Sequence, residues 1–217
     1  MAFAALDDPT TIIVEGRVAA IQAWSTSKVL IVAAFLDTVA DGQPDKISDR
    51  NRKLIELALT ASDADAVNAI RDQIPGRPGA AMTRVLRSIG DQVTTAPDTY
   101  QGLMRWSIRE QVGFMARLAA GEVVTRSASS YLRKIMRPIR AHAWGLGTIG
   151  ATAYKGGWLR ANTGTRQMGI VDDYSVAIIT TAGPAVQQTD GDFAHVRQMN
   201  RLARLLEERL AYERSHR

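Results

Sequence analysis

The hydrophobic pattern divides the chain into a strand-like beginning, a long helical middle and a strand-like end. Two strands are predicted over 2–6 and 11–21, with polar turn residues between them. From Ser25 the apolar residues recur every three or four positions, which predicts a helix over 25–39. Further helices are predicted in the same way over 49–60, 64–73, 79–89, 99–120 and 127–137.

The last third of the chain returns to strands. Glycines between 145 and 150 end the helical middle. Strands are then predicted over 152–159, 165–171 and 174–182, with Asp172-Asp173 as a two-residue hairpin loop. An amphipathic helix is predicted over 192–212. This order of elements predicts a mixed α+β fold, in which helices pack on one sheet and a helical lobe is inserted between its strands.

The composition narrows the possible classes of site. The 217 residues, 46% of them hydrophobic, suffice for the core of a single domain. The absence of cysteine excludes a thiol nucleophile, a disulfide and a cysteine zinc site. Because His142, His195 and His216 are widely scattered, we expect no metal and no other cofactor. The net charge of +5 is spread over several helices without interleaved aromatic residues, so we expect no nucleic-acid partner.

No membrane segment is predicted. The longest apolar run, Val29 to Leu36, is far too short to cross a bilayer. Asp7 and Asp8 interrupt the start of the chain, which therefore lacks the apolar stretch of a signal peptide. A chain from which a leader had been removed would begin in the same way.

The strongest chemical signal lies at the start of the first predicted helix. Ser25 and Lys28 are separated by two residues, which places both side chains on one face of the first helical turn. The lysine amine can then accept the serine proton and produce a nucleophile without histidine, which points to covalent acyl chemistry. A single Ser-x-x-Lys sequence is more often a helix cap with a surface lysine, so other motifs must support this interpretation.

Two further motifs follow in order: Ser62-Asp63-Ala64 in the helical middle and Lys155-Gly156-Gly157 on a predicted strand. Together the three motifs resemble those of the penicillin-recognising acyl-serine family, which includes class A β-lactamases and cell-wall peptidases. The segment 90–94 resembles the beginning of that family's omega loop. The resemblance extends over nearly the whole chain.

The family resemblance implies a fold and a set of roles. The fold is an antiparallel sheet flanked by helices in one domain, with a sheet lobe formed by 1–24 and 148–217 and a helical lobe formed by 25–147. The resemblance implies that Ser25 is the nucleophile and that Lys28 is its base. It implies that Lys155 supplies positive charge and donates a proton through the Ser62 hydroxyl. The backbone N–H groups of Ser25 and Trp158 would form the oxyanion hole.

Each of these motifs has a structural alternative. Lys155 could be a strand-edge lysine that discourages aggregation. Ser62 and Asp63 could form an ordinary helix cap. The interpretation as a catalytic site therefore depends on whether these residues meet in space.

The chain departs from the family pattern where substrate should bind. Ala64 replaces an asparagine that orients the acylamide of the substrate, and Gly156 replaces a hydroxyl residue that binds the substrate carboxylate. The resemblance places Gly156 and Gly157 beside the substrate. Arg166 on the next strand is predicted to supply an alternative anion contact through its guanidinium, unless it is an exposed strand arginine.

A further departure concerns deacylation. No glutamate lies between Glu56 and Glu110, where class A enzymes carry the residue that activates water. Asp98 is the nearest acidic substitute. Without such a base, hydrolysis of β-lactams is expected to be weak or absent.

Two functions stay open on these grounds. One is a serine hydrolase or acyl-transferase acting on a small-molecule or peptide substrate with an acyl carbonyl: a β-lactam, a D-amino-acid peptide or an ester. The other is a catalytically degenerate protein that binds a cell-wall peptide or a protein partner. The resemblance implies an extracytoplasmic location for either.

Overall fold

The sheet is formed by both ends of the chain. The computed structural model describes residues 1–17, 22–159, 162–180 and 194–216. The strands are β1 (Ala2–Ala5), β2 (Ile13–Val14), β3 (Ala153–Leu159), β4 (Asn162–Val171) and β5 (Tyr174–Thr180). They pair antiparallel in the order β2-β1-β5-β4-β3. Because β1 pairs with β5, everything between β2 and β3 is an insertion, and the predicted α+β fold with an antiparallel sheet is confirmed.

Among the described residues, six α-helices lie in the insertion and one follows the sheet. They are α1 (Ser27–Thr38), α2 (Asp49–Thr60), α3 (Ala64–Arg71), α4 (Pro78–Ser88), α5 (Ile108–Ala120), α6 (Arg126–Ile135) and α7 (Ala194–Ser215). Several begin at a capping side chain: the side-chain oxygens of Ser48, Asp63, Ser107 and Thr125 each accept the backbone N–H three residues later. These local signals explain why most predicted helices agree with the structure to within two residues.

The hydrophobic core covers both faces of the sheet. On one face α1 is buried on all sides over residues 27–36, since the other inserted helices surround it. On the other face Met199, Ala203, Leu206 and Leu210 of α7 pack against the sheet. Side chains alternate along a strand, so Lys155 and Gly157 of β3 face the inserted helices while Tyr154 and Trp158 face α7.

Two predicted elements were wrong in extent. The helix predicted over 99–120 begins only at Ile108, because Ser107 caps it and Tyr100 has a left-handed backbone with φ +52°. The second strand is confined to Ile13–Val14. Parts of three predicted elements, 18–21, 181–182 and 192–193, lie outside the described residues.

The predicted hairpin loop between the last two strands is confirmed. Asp172 and Asp173 form a two-residue loop, since Val171 pairs with Tyr174 directly across it. Among the described residues, no helix combines the length and the apolar character that crossing a bilayer requires. The division into two lobes stays a prediction, because α5 of the inserted segment packs against β1, β4 and β5 and shares their core.

Candidate active site

The predicted nucleophile lies on a tight turn in front of α1. A short 3-10 helix, Trp24–Thr26, precedes the α-helix, and Trp24 has a left-handed backbone with φ +46°. The hydroxyls of Thr26 and Ser27 donate to the carbonyls of Ala23 and Trp24 and hold this turn. Ser25 is partly exposed on it. The serine is therefore held on a rigid turn and is open to a ligand.

Lys28 projects from the first turn of α1 into the interior. Its side chain is buried, and the ammonium donates a hydrogen bond to the backbone carbonyl of Ser62. Burial lowers the pKa of Lys28 to about 8, although the negative charge of Asp63 partly opposes this effect. A neutral amine is therefore available at a pH close to neutrality.

Lys155 reaches the same residue from the sheet. Its Nζ atom donates to Ser62 Oγ at 2.8 Å and to the Gly156 carbonyl at 2.9 Å. Burial and the positive charge of Lys28 hold the pKa of Lys155 well below its usual range. Three predicted site residues from α1, from the turn before α3 and from β3 thus meet.

Ser62 itself has an unusual backbone. Its φ is +60°, in the left-handed region that non-glycine residues enter at a cost of about 1–3 kcal/mol. In this conformation its carbonyl accepts from Lys28 while its hydroxyl accepts from Lys155. The helix cap predicted as an alternative is also present, but Asp63 provides it, through a hydrogen bond from the Ala66 N–H.

Gly157 brings β3 against the nucleophile turn. A Cβ atom at this position would lie 2.9 Å from the Ala23 carbonyl oxygen and from the Ser25 nitrogen, and 3.0 Å from the Thr26 nitrogen. Only glycine permits this approach. The next residue, Trp158, lines the same cleft as Ser25. The two backbone segments assigned to the oxyanion hole are therefore neighbours.

Gly156 differs from Gly157 in its surroundings. A Cβ atom at 156 would lie 3.4 Å from the ring atoms of Trp144 and Trp158 and 3.6 Å from Gln167, which is ordinary van der Waals contact. Packing therefore does not force a glycine at this position. The fold would therefore accommodate a side chain with a hydroxyl at position 156. The glycine found there changes the chemistry of the site and not its packing.

Arg166 does not face the cleft as predicted. It pairs with Gly157 across β3 and β4, so its side chain extends beneath the nucleophile turn. The guanidinium is fully buried, and it donates to the backbone carbonyls of Gln22 at 2.9 Å and Trp106 at 2.7 Å. Burial lowers its pKa to about 9. Its placement corrects the predicted role as a substrate anion contact.

Gln111 is a residue that the sequence reasoning missed. Its Oε1 atom accepts two hydrogen bonds from Arg166, and its amide donates to the Thr26 hydroxyl at 2.8 Å. Gln111 is fully buried on the inner face of α5, beside Val112 and Met115. A glutamine within an apolar helix face is the one sequence signal that could have revealed it.

Asp98 serves a structural purpose. Its Oδ1 atom accepts from the Gly79 N–H at 3.0 Å and its Oδ2 atom from Arg77 at 2.9 Å. The hydrogen bond from Arg77 lowers the pKa of Asp98. Asp98 thus holds the start of α4, whereas the next four residues of the loop, 99–102, line the cleft. The predicted substitute for a deacylating glutamate is therefore not among the residues that line the cleft beside Ser25.

The cleft beside Ser25 has a volume of about 470 Å³ and lies between α1, α3, β3 and the loop over 99–102. Lys28 and Trp158 both line it. Behind Trp158 lie His142, with ring centroids 5.1 Å apart, and Trp144, at 5.4 Å. Burial, together with the charge of Lys155, lowers the pKa of His142.

The chain matches no protein-family model and no curated protein. Solved structures do resemble it. A mutant of PBP-A, solved as an acyl-enzyme complex with penicillin G, is 21% identical with a TM-score of 0.71, over 98% of this chain and 89% of its own. A β-lactamase from Chitinophaga pinensis DSM 2588 is 15% identical with a TM-score of 0.74, over 96% and 92%. A class A β-lactamase from Mycobacterium abscessus is 15% identical with a TM-score of 0.72, over 94% and 92%.

The chain has the β-lactamase fold. It is a divergent example, because the identities of 15 to 21% carry the fold and not the chemistry. The chemistry must be argued from the residues that this β-lactamase-like chain places around Ser25.

Proposed function

We propose that this chain is a serine hydrolase or acyl-transferase that forms an acyl-enzyme on Ser25. The observation that carries the proposal is the meeting of Lys28 and Lys155 at Ser62, with the pKa of both lysines lowered. Lys28 lines the same cleft as the partly exposed Ser25, and Lys155 reaches Ser62 from the sheet, so two buried amines provide a base and a proton source without histidine. A site that only binds its ligand needs neither a base nor a proton source.

The proposed acylation transfers one proton from Ser25 to Lys28 and one proton from Lys155, through Ser62, to the leaving group. Ser25 Oγ bonds to the carbonyl carbon while its proton passes to the neutral amine of Lys28. The backbone N–H groups of Ser25 and Trp158 stabilise the oxyanion. When the intermediate collapses, the bond to the leaving group breaks. The leaving atom takes the Ser62 hydroxyl proton, which the Lys155 ammonium replaces, and the acyl group stays on Ser25.

Deacylation is proposed to be slow. Asp98 is bound to Arg77 and Gly79, and the cleft-lining loop over 99–102 carries no acidic side chain. Among the described residues that line the cleft none is acidic, so water there has no carboxylate base, and we propose that hydrolysis of a β-lactam is weak or absent. The acyl-enzyme should accumulate.

A degenerate binding protein is the second candidate. It is favoured by Ala64 and Gly156, which both remove contacts that substrates make in the family that the motifs resemble. In this case the cleft would hold a cell-wall peptide or a protein partner without acylation. We propose an extracytoplasmic location for either function, since cell-wall acyl substrates lie outside the cytoplasm.

Intact-mass spectrometry tests the choice between them. After incubation with a fluorophosphonate, an activated ester or penicillin G, we expect a mass increase of one acyl or phosphonyl group, which peptide mapping places on Ser25. The Ser25→Ala variant should show no increase, whereas Ser130→Ala, at an exposed serine of α6, should label like the wild type. A folded wild-type protein that gains no mass with any reagent would support the binding protein instead.

The acylation rate should increase with pH. Lys28 must be neutral to accept the serine proton, and its pKa is about 8, so the reactive fraction increases as the pH passes through that value. Stopped-flow labelling from about two pH units below this pKa to two above it should therefore give a sigmoid rise centred near pH 8. A rate that fell over this range would show that the charged form of Lys28 is the active one.

A further inference from the structure

A cluster of basic residues lies where α6 ends, on a stretch of chain without acidic residues. Over 123–171 the sequence contains eight lysines and arginines and no aspartate or glutamate. Three of these cations, Arg133, Lys134 and Arg137, are exposed at the end of α6 and directly after it. Within the described part of the chain none of the three forms an ion pair, and Arg133 alone makes a side-chain hydrogen bond, to the Ala119 carbonyl at 3.1 Å. Their positive charge is therefore not neutralised by a carboxylate of this chain.

The three cations line one cleft together with two hydroxyl groups. This cleft has a volume of about 260 Å³, and Ser130 and Thr152 line it beside the basic side chains. Neither hydroxyl makes a hydrogen bond to another described residue. The Tyr154 N–H donates to the Met136 carbonyl at 2.9 Å, which holds the end of α6 beside the start of β3. Donors from two distant segments are thus brought together around one space.

A second cleft adjoins the first. Its volume is about 330 Å³, and it shares Arg137 and Thr152 with the first cleft and adds Tyr154. Burial raises the pKa of Tyr154, so its hydroxyl keeps its proton at neutral pH and can donate. None of the described residues that line these two clefts is acidic, and none also lines the cleft beside Ser25. The two clefts therefore form one basic site outside the candidate active site.

Two structural roles are alternatives to a ligand site. Basic residues in the last turn of a helix interact favourably with its C-terminal carbonyls, but Arg137 lies two residues beyond α6. Nearby carboxylates could also balance the charge, since Lys134 and Arg137 line a further cleft together with Asp45, Asp49 and Glu56. None of these carboxylates pairs with either cation. Three cations that share one cleft repel one another, and a bound anion would relieve this repulsion.

We propose that this basic site binds the phosphoryl group of a phosphorylated ligand. A phosphate monoester carries a charge of about −1.5 to −2 at neutral pH and three acceptor oxygens, so it can accept from Arg133, Lys134 and Arg137 at once. The planar guanidinium of arginine matches phosphate oxygens through two parallel hydrogen bonds. A carboxylate, with one charge and two oxygens, would leave most of the positive charge uncompensated. The second cleft gives room for a second phosphoryl group. The proposal does not depend on acylation of Ser25.

Isothermal titration calorimetry with inorganic pyrophosphate tests the proposal. We expect pyrophosphate to bind at a single site and to raise the unfolding temperature, because a ligand that binds the native state stabilises it. Sodium chloride at the same ionic strength should not give this rise. Lys134→Gln and Arg137→Gln should each weaken pyrophosphate binding by at least about tenfold, since each removes a hydrogen bond between charged groups.

Control variants locate the binding on the chain. Arg204→Gln removes an exposed cation of α7 and should bind pyrophosphate like the wild type. Lys28→Met and Arg71→Gln each remove a cation from the cleft beside Ser25, and they should also leave pyrophosphate binding unchanged. Arg137→Gln should still be acylated at Ser25 like the wild type. Failure of this proposal and failure of the proposed function are therefore distinguishable.

Vesicles distinguish the two sources of a phosphoryl group. If the source is a lipid headgroup, phosphatidylcholine vesicles that contain phosphatidic acid should bind the wild type but not Arg137→Gln, and pure phosphatidylcholine vesicles should bind neither. Binding of pyrophosphate without binding of these vesicles assigns the site to a soluble phosphorylated ligand. The proposal is wrong if pyrophosphate raises the unfolding temperature no more than sodium chloride does, or if Lys134→Gln and Arg137→Gln bind pyrophosphate as tightly as the wild type.

Discussion

Replacing Lys28 with methionine is expected to lower the rate of acylation of Ser25 by about 10²–10⁴-fold, the usual contribution of a positioned general base. Methionine keeps most of the buried volume and removes the only amine one helical turn from the nucleophile. The Ser62 hydroxyl still receives its hydrogen bond from Lys155. The measurement is the time course of the mass increase with an activated ester, beside a thermal unfolding curve.

A second variant tests whether Lys28 acts as a base or only through its positive charge. Lys28→Arg retains a cation but has no neutral form at accessible pH, so its acylation should be as slow as that of Lys28→Met. The sigmoid rise near pH 8 should disappear in both. An arginine variant that acylated within about tenfold of the wild type would exclude Lys28 as the base, because a permanent cation cannot accept the serine proton.

Replacing Arg166 with methionine is expected to lower the free energy of unfolding by at least about 3 kcal/mol. The change leaves the carbonyls of Gln22 and Trp106 and the Oε1 atom of Gln111 without their donor, and each unsatisfied buried acceptor costs about 1–3 kcal/mol. The loss should appear as a lower midpoint in urea unfolding monitored by circular dichroism.

The matched control is Arg204→Met on α7. Arg204 is exposed, and substitutions at such positions usually change stability by less than about 0.5 kcal/mol. If Arg166→Met were equally mild, the guanidinium would not be needed to satisfy these acceptors. Because Gln111 also bonds to Thr26, we expect Arg166→Met to slow acylation at a temperature where the variant remains folded.

The candidate site could be predicted only in part. The order of the three motifs predicted Ser25, Lys28, Ser62 and Lys155, and the structure brings the last three into contact. The sequence did not predict how they meet, since the Ser62 carbonyl, and not only its hydroxyl, accepts a lysine. That contact depends on a left-handed backbone at Ser62, which a serine sequence does not signal.

The sequence alone determined the features that depend on residues close together along the chain. Caps at Ser48 and Asp63 begin α2 and α3, the spacing of apolar residues marks most helices, and the pair Asp172-Asp173 turns β4 into β5. These features follow from hydrogen bonds and side-chain spacing within a few positions. The α+β fold class follows from the order of such elements.

Only the tertiary structure decided which functional side chains face the cleft. The register between β3 and β4 sets Arg166 opposite Gly157 and sends its guanidinium to Gln22, 144 positions earlier in the chain. Asp98 is likewise turned toward α4 by Arg77 and Gly79. A register shift of one residue would reverse the face of every strand side chain, and strand pairing between distant segments fixes that register.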